Sequence, residues 1–486
     1  MAKVKGSRWL ILLALYLPAA LHAASAPHDP VEGYWLGTAG GAKEKIEVGL
    51  QFQRGADGTL QVRLTQPISN YFGVQSGVPV VRAGNRITNE ELALDLRLDG
   101  DRLTGHYPGP RSEASFHRVD ALSAEPPVPD LPSGPEPKWQ TRLGGTVYAS
   151  PVVANGIAYI GTTGGVLNAV DTRDGKSVWT FSAGVPLYGA GAIDGDALYL
   201  IGDDGTLFRL QRSNGKLVWK ASLQTSPVAR VLPHPSVFDW DWQGPQPLVA
   251  DGVVYVGTGD GVFHAVDAET GKPRWHFATS GRIRNGAALS ADRVLVGSAD
   301  HFVYALDAAN GSELWCADTR AEVDTTPVVH EGKVLVGNRG AGLSAFDAET
   351  GKELWRTFFW GSWVESTPVV HAGTIYIGSS DLRRVSAIDP ANGNVLWRSD
   401  VFGWTWGTPL VDGDRLHVGV AGGTPYFIRH VAGYVTLDRA SGRVLTRHPF
   451  ADTGGHQWGI AGSPAMGDGV VVVATIAGSL FGFPPG

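Results

Sequence analysis

From Trp139 onward one pattern returns at a spacing that leaves few folds open. A unit reads Ser150-Pro151-Val152-Val153, Gly156, Ala158-Tyr159-Ile160-Gly161, Gly165, Leu167, Ala169, Asp171, Gly175-Lys176 and Trp179. Its ending recurs as Asp267, Gly271 and Trp275, as Asp307, Gly311 and Trp315, as Asp347, Gly351 and Trp355, and as Asp389, Gly393 and Trp397. Gly215 and Trp219 keep the ending with Gln211 in the Asp position; Asp438 and Gly442 keep it with Thr446 in the Trp position. Steps of 40 residues separate Trp139, Trp179 and Trp219, and again Trp275, Trp315 and Trp355, while a step of 56 between Trp219 and Trp275 marks an insertion. A period near 40 made of four short, glycine-bounded strands is the signature of a propeller blade.

Seven complete units end between Trp179 and Thr446. An eighth begins at Ser463-Pro464, runs through Val470–Val473, Gly478, Leu480 and Phe483, and stops without a Trp strand of its own. Trp139 supplies that strand from the front of the domain. A ring closed by strands from both ends leaves no free edge between its first and last blades. The expected fold is therefore all-β, an eight-bladed β-propeller over residues 138–486.

Three segments precede it. Lys3, Lys5 and Arg8, the apolar run Leu10–Leu17 and the Ala-rich stretch to Ala26 have the order of a cleaved secretory signal peptide over residues 1–26. Eight apolar residues are too few for a transmembrane helix, which needs about 20, and no Cys near the cleavage region offers a lipid anchor. The expected location is periplasmic or secreted, with no membrane span. Residues 30–120 read as a small antiparallel β domain, barrel-like: Ile46, Val48, Leu50 and Phe52 alternate with other residues, as do Leu92, Leu94, Leu96 and Leu98, and Asp99-Gly100 is a hairpin turn. The opening Gly33-Tyr34-Trp35-Leu36-Gly37 resembles the first strand of small lipocalin-like barrels. Residues 121–137 carry six prolines and read as an extended linker.

The formal net charge of −7 becomes −10 once the three cations of the leader are removed. An acidic chain lacks the basic face that phosphate neutralisation needs, so nucleic acid is excluded as a partner. The single cysteine, Cys316, rules out an intrachain disulfide and any multi-cysteine metal site. Beside Trp315 it is expected to be a small buried side chain.

The repeat Ser-Pro-Val-Val-x-x-Gly…Tyr-Ile-Gly…Leu-x-Ala-x-Asp…Gly-Lys-x-x-Trp resembles the PQQ-like (pyrroloquinoline quinone enzyme type) β-propeller repeat, across residues 138–486. The resemblance implies that Trp139, Trp179, Trp219, Trp275, Trp315, Trp355 and Trp397 dock between neighbouring blades, a structural role. It covers both quinoprotein dehydrogenases and cofactor-free propellers, so it does not decide function. The repeat Asp residues are read as bonding backbone amides in the turn before Gly.

Sites are sought where the blades differ. Counting back from the Pro that opens each innermost strand, or its equivalent, the third residue is Tyr148, Tyr188, Gly244, Arg284, Asp324, Glu365, Trp406 and Ala461 in blades one to eight. The fifth is Thr146, Pro186, Trp242, Arg282, Glu322, Trp363, Trp404 and Gly459. In an extended segment, period two places both positions on one face. The resemblance implies that this face is the ligand-bearing mouth of the channel. The candidate ligand-binding rim is thus Tyr148, Tyr188, Trp242, Arg282, Arg284, Glu322, Asp324, Trp363, Glu365, Trp404 and Trp406. A plainer reading has Arg282 and Arg284 pairing with Glu322 and Asp324 to seal the mouth. Two insertions frame it: Ser222–Gln246, with His234, Asp239, Trp240, Asp241 and Trp242, and Gly422–Gly433, with Tyr426, Arg429 and His430. The second follows a different strand connection, so its face is left open, and His456-Gln457-Trp458, which precedes blade eight, is a candidate to complete the rim.

Two functions follow. The first is a binding or scaffold propeller whose mouth takes a small molecule, sugar or extended peptide, or which engages another envelope protein; no cofactor, metal or catalytic residue is assigned. The alternative is a PQQ- and Ca²⁺-dependent dehydrogenase, with Arg282 or Arg284 on the cofactor carboxylates, Trp404 or Trp406 stacked on its rings, and Glu365, Asp324 and Asn285 as calcium ligands. Against it, the dehydrogenases that the repeat resembles carry an adjacent Cys pair at the cofactor, which one cysteine cannot supply.

Overall fold

The computed structural model describes residues 29–40, 45–73, 77–108, 112–224, 228–230, 241–424, 426 and 428–485. The expected leader, and His234, Asp239 and Trp240, lie outside the described residues. Apart from the short 3-10 turn Pro67–Ser69, the regular elements are all strands. No helix among the described residues is long and apolar enough to cross a membrane. Contacts divide the chain into two compact units, residues 1–64 with 76–122 and residues 65–75 with 123–486.

In the first unit, strand Gly33–Gly40 pairs antiparallel with both Lys45–Arg54 and Glu113–Val119. The stretch Val78–Ala83 pairs with Leu60–Gln66 at one end and Arg86–Asn89 at the other, so the ladder returns on itself as an antiparallel barrel. Period two sends Trp35, Val48, Leu50, Phe52, Val62, Ile87, Leu96, Leu103 and Phe116 inside, all buried. Trp35 satisfies its indole N–H on the Val31 carbonyl at 2.8 Å. Leu92 falls outside the alternation because its strand starts only at Leu94, after Ala93 at φ +48°.

The second unit contains eight four-stranded antiparallel blades, the seventh with one added short strand. Blade one comprises Val152–Ala154, Ile157–Gly161, Val166–Asp171 and Ser177–Ser182. Blade eight takes Ala465–Gly467, Val470–Thr475 and Ser479–Phe483 from the end of the chain and Trp139–Arg142 as its outermost strand, in the register Trp139↔Gly482 to Arg142↔Ser479. The core lies between blades, as where Leu295, Val303 and Ala305 of blade four meet Val334, Val336 and Phe346 of blade five.

Seven of the eight junctions carry a tryptophan latch. The indole N–H of Trp139, Trp179, Trp219, Trp275, Trp315 and Trp355 donates to a backbone carbonyl of the next blade at 2.8–3.3 Å. The ring then lies over that blade's turn glycine. Gly175, Gly215, Gly271, Gly311, Gly351, Gly393 and Gly442 adopt φ between +71° and +76°, and a Cβ on any of them would come within 3 Å of the tryptophan of the preceding blade. Handedness and clearance both demand glycine there. The turn is fixed by its aspartate, as Asp171 accepts from the Arg173 amide at 2.9 Å and Asp267 from the Thr270 amide at 2.9 Å. In blade two, which has Gln211, Asp196 takes over by accepting from the Ser213 amide at 3.1 Å.

Two expectations change. Cys316 is exposed. On an edge strand successive side chains alternate, so the inward turn of Trp315 forces Cys316 outward. The proline-rich stretch, in turn, is annealed to blade seven: Gly134 N–H donates to the Arg447 carbonyl at 2.9 Å, Arg447 N–H donates to the Pro132 carbonyl at 3.1 Å, and Ser133 forms a parallel bridge with Arg447. Glu125 pairs with Arg383, a fully buried arginine that also holds Asp400 and Asn70, each at 2.9 Å.

Trp315→Ala is expected to lower stability by about 3–5 kcal/mol through lost burial and a cavity. Cys316→Ala next to it should change stability by less than about 0.5 kcal/mol. Urea unfolding midpoints of the two variants check the contrast.

Candidate functional site

The segment leading into each innermost strand sets the geometry of the mouth. Its fourth residue back is an apolar anchor, Val147, Leu187, Ile283, Val323 or Val364, all buried, and Leu187, Ile283, Val323 and Val364 press on Gly161, Gly257, Gly297 and Gly337 of the preceding blade. The residues on either side then face the axis. All eight third-back residues line one central cavity, together with all eight residues that precede the strand-opening position: Ser150, Ala190, Gln246, Gly286, Thr326, Thr367, Thr408 and Ser463. The cavity holds about 100 Å³.

The fifth-back residues do not share that wall, contrary to the single face expected from period two. Their carbonyls are bound by the hairpin between the second and third strands, as Thr163 N–H to Thr146, Asp203 N–H to Pro186, Ala299 N–H to Arg282 and Arg339 N–H to Glu322. That bonding makes them a second tier above the cavity. Trp242 alone among them reaches the cavity wall.

An ion-pair network joins the cavity wall to the second tier. Arg284, 2% exposed, lies 2.9 Å from Asp203 and 2.9 Å from Asp241. Arg230 bonds Asp203 at 2.7 Å and donates to the carbonyls of Asp241 at 2.7 Å and Gln243 at 2.6 Å. Arg282 reaches Glu322 at 2.7 Å, and Arg339 reaches Asp324 at 2.7 Å and Glu365 at 2.9 Å. Four guanidinium groups thus face five carboxylates. The sealing expected between Arg282 and Glu322 is present, but Arg284 turns instead to Asp203 and Asp241.

Burial sets the charge states. It pushes the Glu365 carboxyl up to about 7 against the pull of Arg339. Burial also raises Asp241, despite the neighbouring Arg284, Arg230 and Arg282. Burial alone would lower the Arg339 pKa, but Asp324, Glu365 and Glu322 together raise it.

The aromatic candidates form a second continuous system. Trp404 stacks on Trp406 at 4.7 Å between ring centres, Trp406 on Trp242 at 4.9 Å, and Trp242 meets Tyr148 at 6.4 Å. Tyr148 stacks on Tyr188 at 6.0 Å, and the Arg230 guanidinium covers Tyr188 at 3.7 Å. Trp363 stands apart from this run, under Arg339 at 4.5 Å. The blade-seven insertion closes the far end: His430 and Tyr426 pack on Trp404 at 4.2 and 5.0 Å. Tyr426 O–H and Trp404 N–H both donate to Asp381, at 2.9 and 3.0 Å. Gln457 joins the mouth by accepting from Tyr148 O–H at 2.8 Å.

Sequence reasoning missed Asp203, Arg230, Arg339 and Asp381. Asp203 and Arg339 share one hairpin position with Thr163, Gly259, Ala299 and Ser380, so aligning hairpins as well as strand starts exposes both. Arg230 sits in the insertion, where no repeat register exists.

Comparison with known proteins matches this geometry to a family. PQQ_2, described as outer membrane protein assembly factor BamB, matches residues 132–233, 236–323 and 299–479. The chain belongs to that family. BamB of Yersinia pestis is 29% identical over 142 residues, 28% of this chain and 35% of the relative. The dehydrogenase subunit of the quinone alcohol dehydrogenase of Gluconacetobacter polyoxogenes is 31% identical over 163 residues, 30% of this chain and 21% of the relative. The chain thus spans about a third or less of these relatives' length. Among solved structures, BamB from Moraxella catarrhalis superposes with TM-score 0.54 at 20% identity, covering 72% of this chain and 98% of that one. Quinohemoprotein alcohol dehydrogenase from Comamonas testosteroni gives 0.56 at 16%, covering 72% and 76%. At these identities the superpositions speak for the fold.

The quinone cofactor of the dehydrogenases can be tested against the residues present. A flat three-ring molecule exceeds a cavity of about 100 Å³. Trp404, Trp406 and Trp242 stack on one another, leaving no slot between them. Arg282 and Arg284 are already paired. No three His, Cys, Asp or Glu among the described residues are placed to hold a metal ion. The residues do not fit the cofactor or its calcium.

Trp404, 1% exposed, should behave as core, so Trp404→Ala is expected to cost about 3–5 kcal/mol. Glu365 has a folded pKa near 7 against an ordinary 4.5, so the folded state binds its proton first. Stability therefore falls as pH rises from about 4.5 to about 7 and levels above. Glu365→Gln, which mimics the protonated acid, should gain on wild type across that window, read from urea midpoints at about pH 5 and pH 8.

Proposed function

We propose that this protein is an exported scaffold propeller of the bacterial envelope, binding another protein through its outer surface rather than oxidising a substrate at its axis. What carries the reading is the mouth itself: its arginines are paired with its carboxylates, and Trp242, Trp404 and Trp406 are stacked on one another. A recognition surface is then sought on the perimeter. Val178, Val218, Leu314, Leu354, Phe358 and Leu396 are 46–58% exposed on the outermost strands of blades one, two, four, five and six. Edge strands with apolar side chains accept extended peptides by strand addition. The chain itself shows the mode where Pro132–Gly134 lies along blade seven. The similarity to BamB, described as an outer membrane protein assembly factor, supports an envelope protein as the partner.

Two measurements test the reading. PQQ and Ca²⁺ added to the purified protein should give no stoichiometric binding and no dye reduction with a panel of alcohols and sugars; turnover would overturn it. A photoreactive side chain at Phe358 should give a discrete cross-linked adduct in the envelope, lost when Leu354→Glu is added. Absence of any adduct from the outer strands would overturn the scaffold role.

A further inference from the structure

Trp242 departs from the register that governs the other blades. It is the only fifth-back residue in the cavity wall, and it comes from the one blade connection lengthened to a 56-residue step. The cause is visible in the backbone. Gly244, where other blades carry a third-back side chain, lies so close to Tyr188 and Gly189 that a Cβ would collide with both. A Cβ on Gly189 would likewise strike Pro245. The lead-in of blade three is pressed against blade two, and Trp242 is carried over the axis. There it is 6% exposed and stacks face to face on Trp406 of blade seven, 4.9 Å between ring centres and 23° between planes. Tyr148 of blade one borders it at 6.4 Å, and its indole N–H and the Oε2 of Glu365 of blade six, which lines the same cavity, are each buried without a hydrogen-bond partner.

We propose that Trp242 is a tethered occupant of an aromatic slot on the propeller axis, a site built by other blades that selects a planar ring carrying an N–H donor. Trp406 supplies the stacking face, Tyr148 the rim, and the unpartnered Oε2 of Glu365 an acceptor within reach of a free ring. Because the occupant belongs to the chain, the slot is closed to diffusible flat ligands. Removing the ring restores the site for a free molecule of the same chemistry. This inference is independent of what the outer strands bind, and it holds if they bind nothing.

Indole is the probe, with benzofuran as the isostere that lacks the N–H. Trp242→Ala should show a saturable rise in melting temperature with indole, and a roughly 3–10-fold weaker apparent affinity for benzofuran, the equivalent of one lost hydrogen bond. Wild type should respond to neither. A folded Trp242→Ala that ignores indole, or a wild type that binds it saturably, would overturn the proposal. Equal affinity for the two probes would overturn the role of Glu365. If the variant does not accumulate folded, it is refolded from urea with and without indole. Recovery only with indole supports the slot, and failure in both overturns it.

Discussion

A tryptophan ring lying on the bare backbone of the next blade's glycine is the contact on which the rest depends. A four-stranded blade cannot bury both faces alone; it becomes stable only against its neighbours. The latch fixes that stacking with one flat surface and one indole hydrogen bond at most junctions. It also explains why the glycine cannot vary, since φ and clearance are set by two different blades at once. Blade seven carries Thr446 instead, and its outer strand is held by the chain segment Pro132–Gly134.

The repeat made the propeller legible because each latch writes three residues, Asp, Gly and Trp, at fixed offsets. The ring of eight third-back residues was legible for the same reason: one register, eight copies, one wall. Three features escaped it. The placement of Trp363 and Trp404 in the second tier depends on hairpin amides that bind the backbone two residues ahead of the wall, which side-chain periodicity does not record. Arg230 lies in an insertion without a register. Cys316 follows a junction tryptophan, but strand alternation sends it to solvent.

The mouth shows how a repeated geometry can hold different chemistry. Eight side chains converge whatever their identity, so the fold provides convergence and the sequence decides what is done with it. Here Arg339 answers Asp324 and Glu365, and Arg284 answers Asp203 and Asp241. Pairing of this kind offsets the cost of burying the charges but leaves little over for a ligand. Glu365 shows that the balance is close, since its carboxyl is held near neutrality by burial although Arg339 lies 2.9 Å away.

Closure of blade eight has a consequence for the order of assembly. Its outermost strand, Trp139–Arg142, pairs with Ser479–Phe483, and the contact between Gln140 and Ser479 spans 339 positions. During synthesis or translocation from the N-terminus, every other blade is made of consecutive strands and can form as it emerges. The eighth must wait for its last hairpin while the early strand stands unpaired. Such a nonlocal pairing is slow to find, and until it forms the nascent ring keeps an open edge that another chain can occupy. The circular architecture therefore carries a built-in interval of vulnerability, ended in one step when the two ends of the propeller meet.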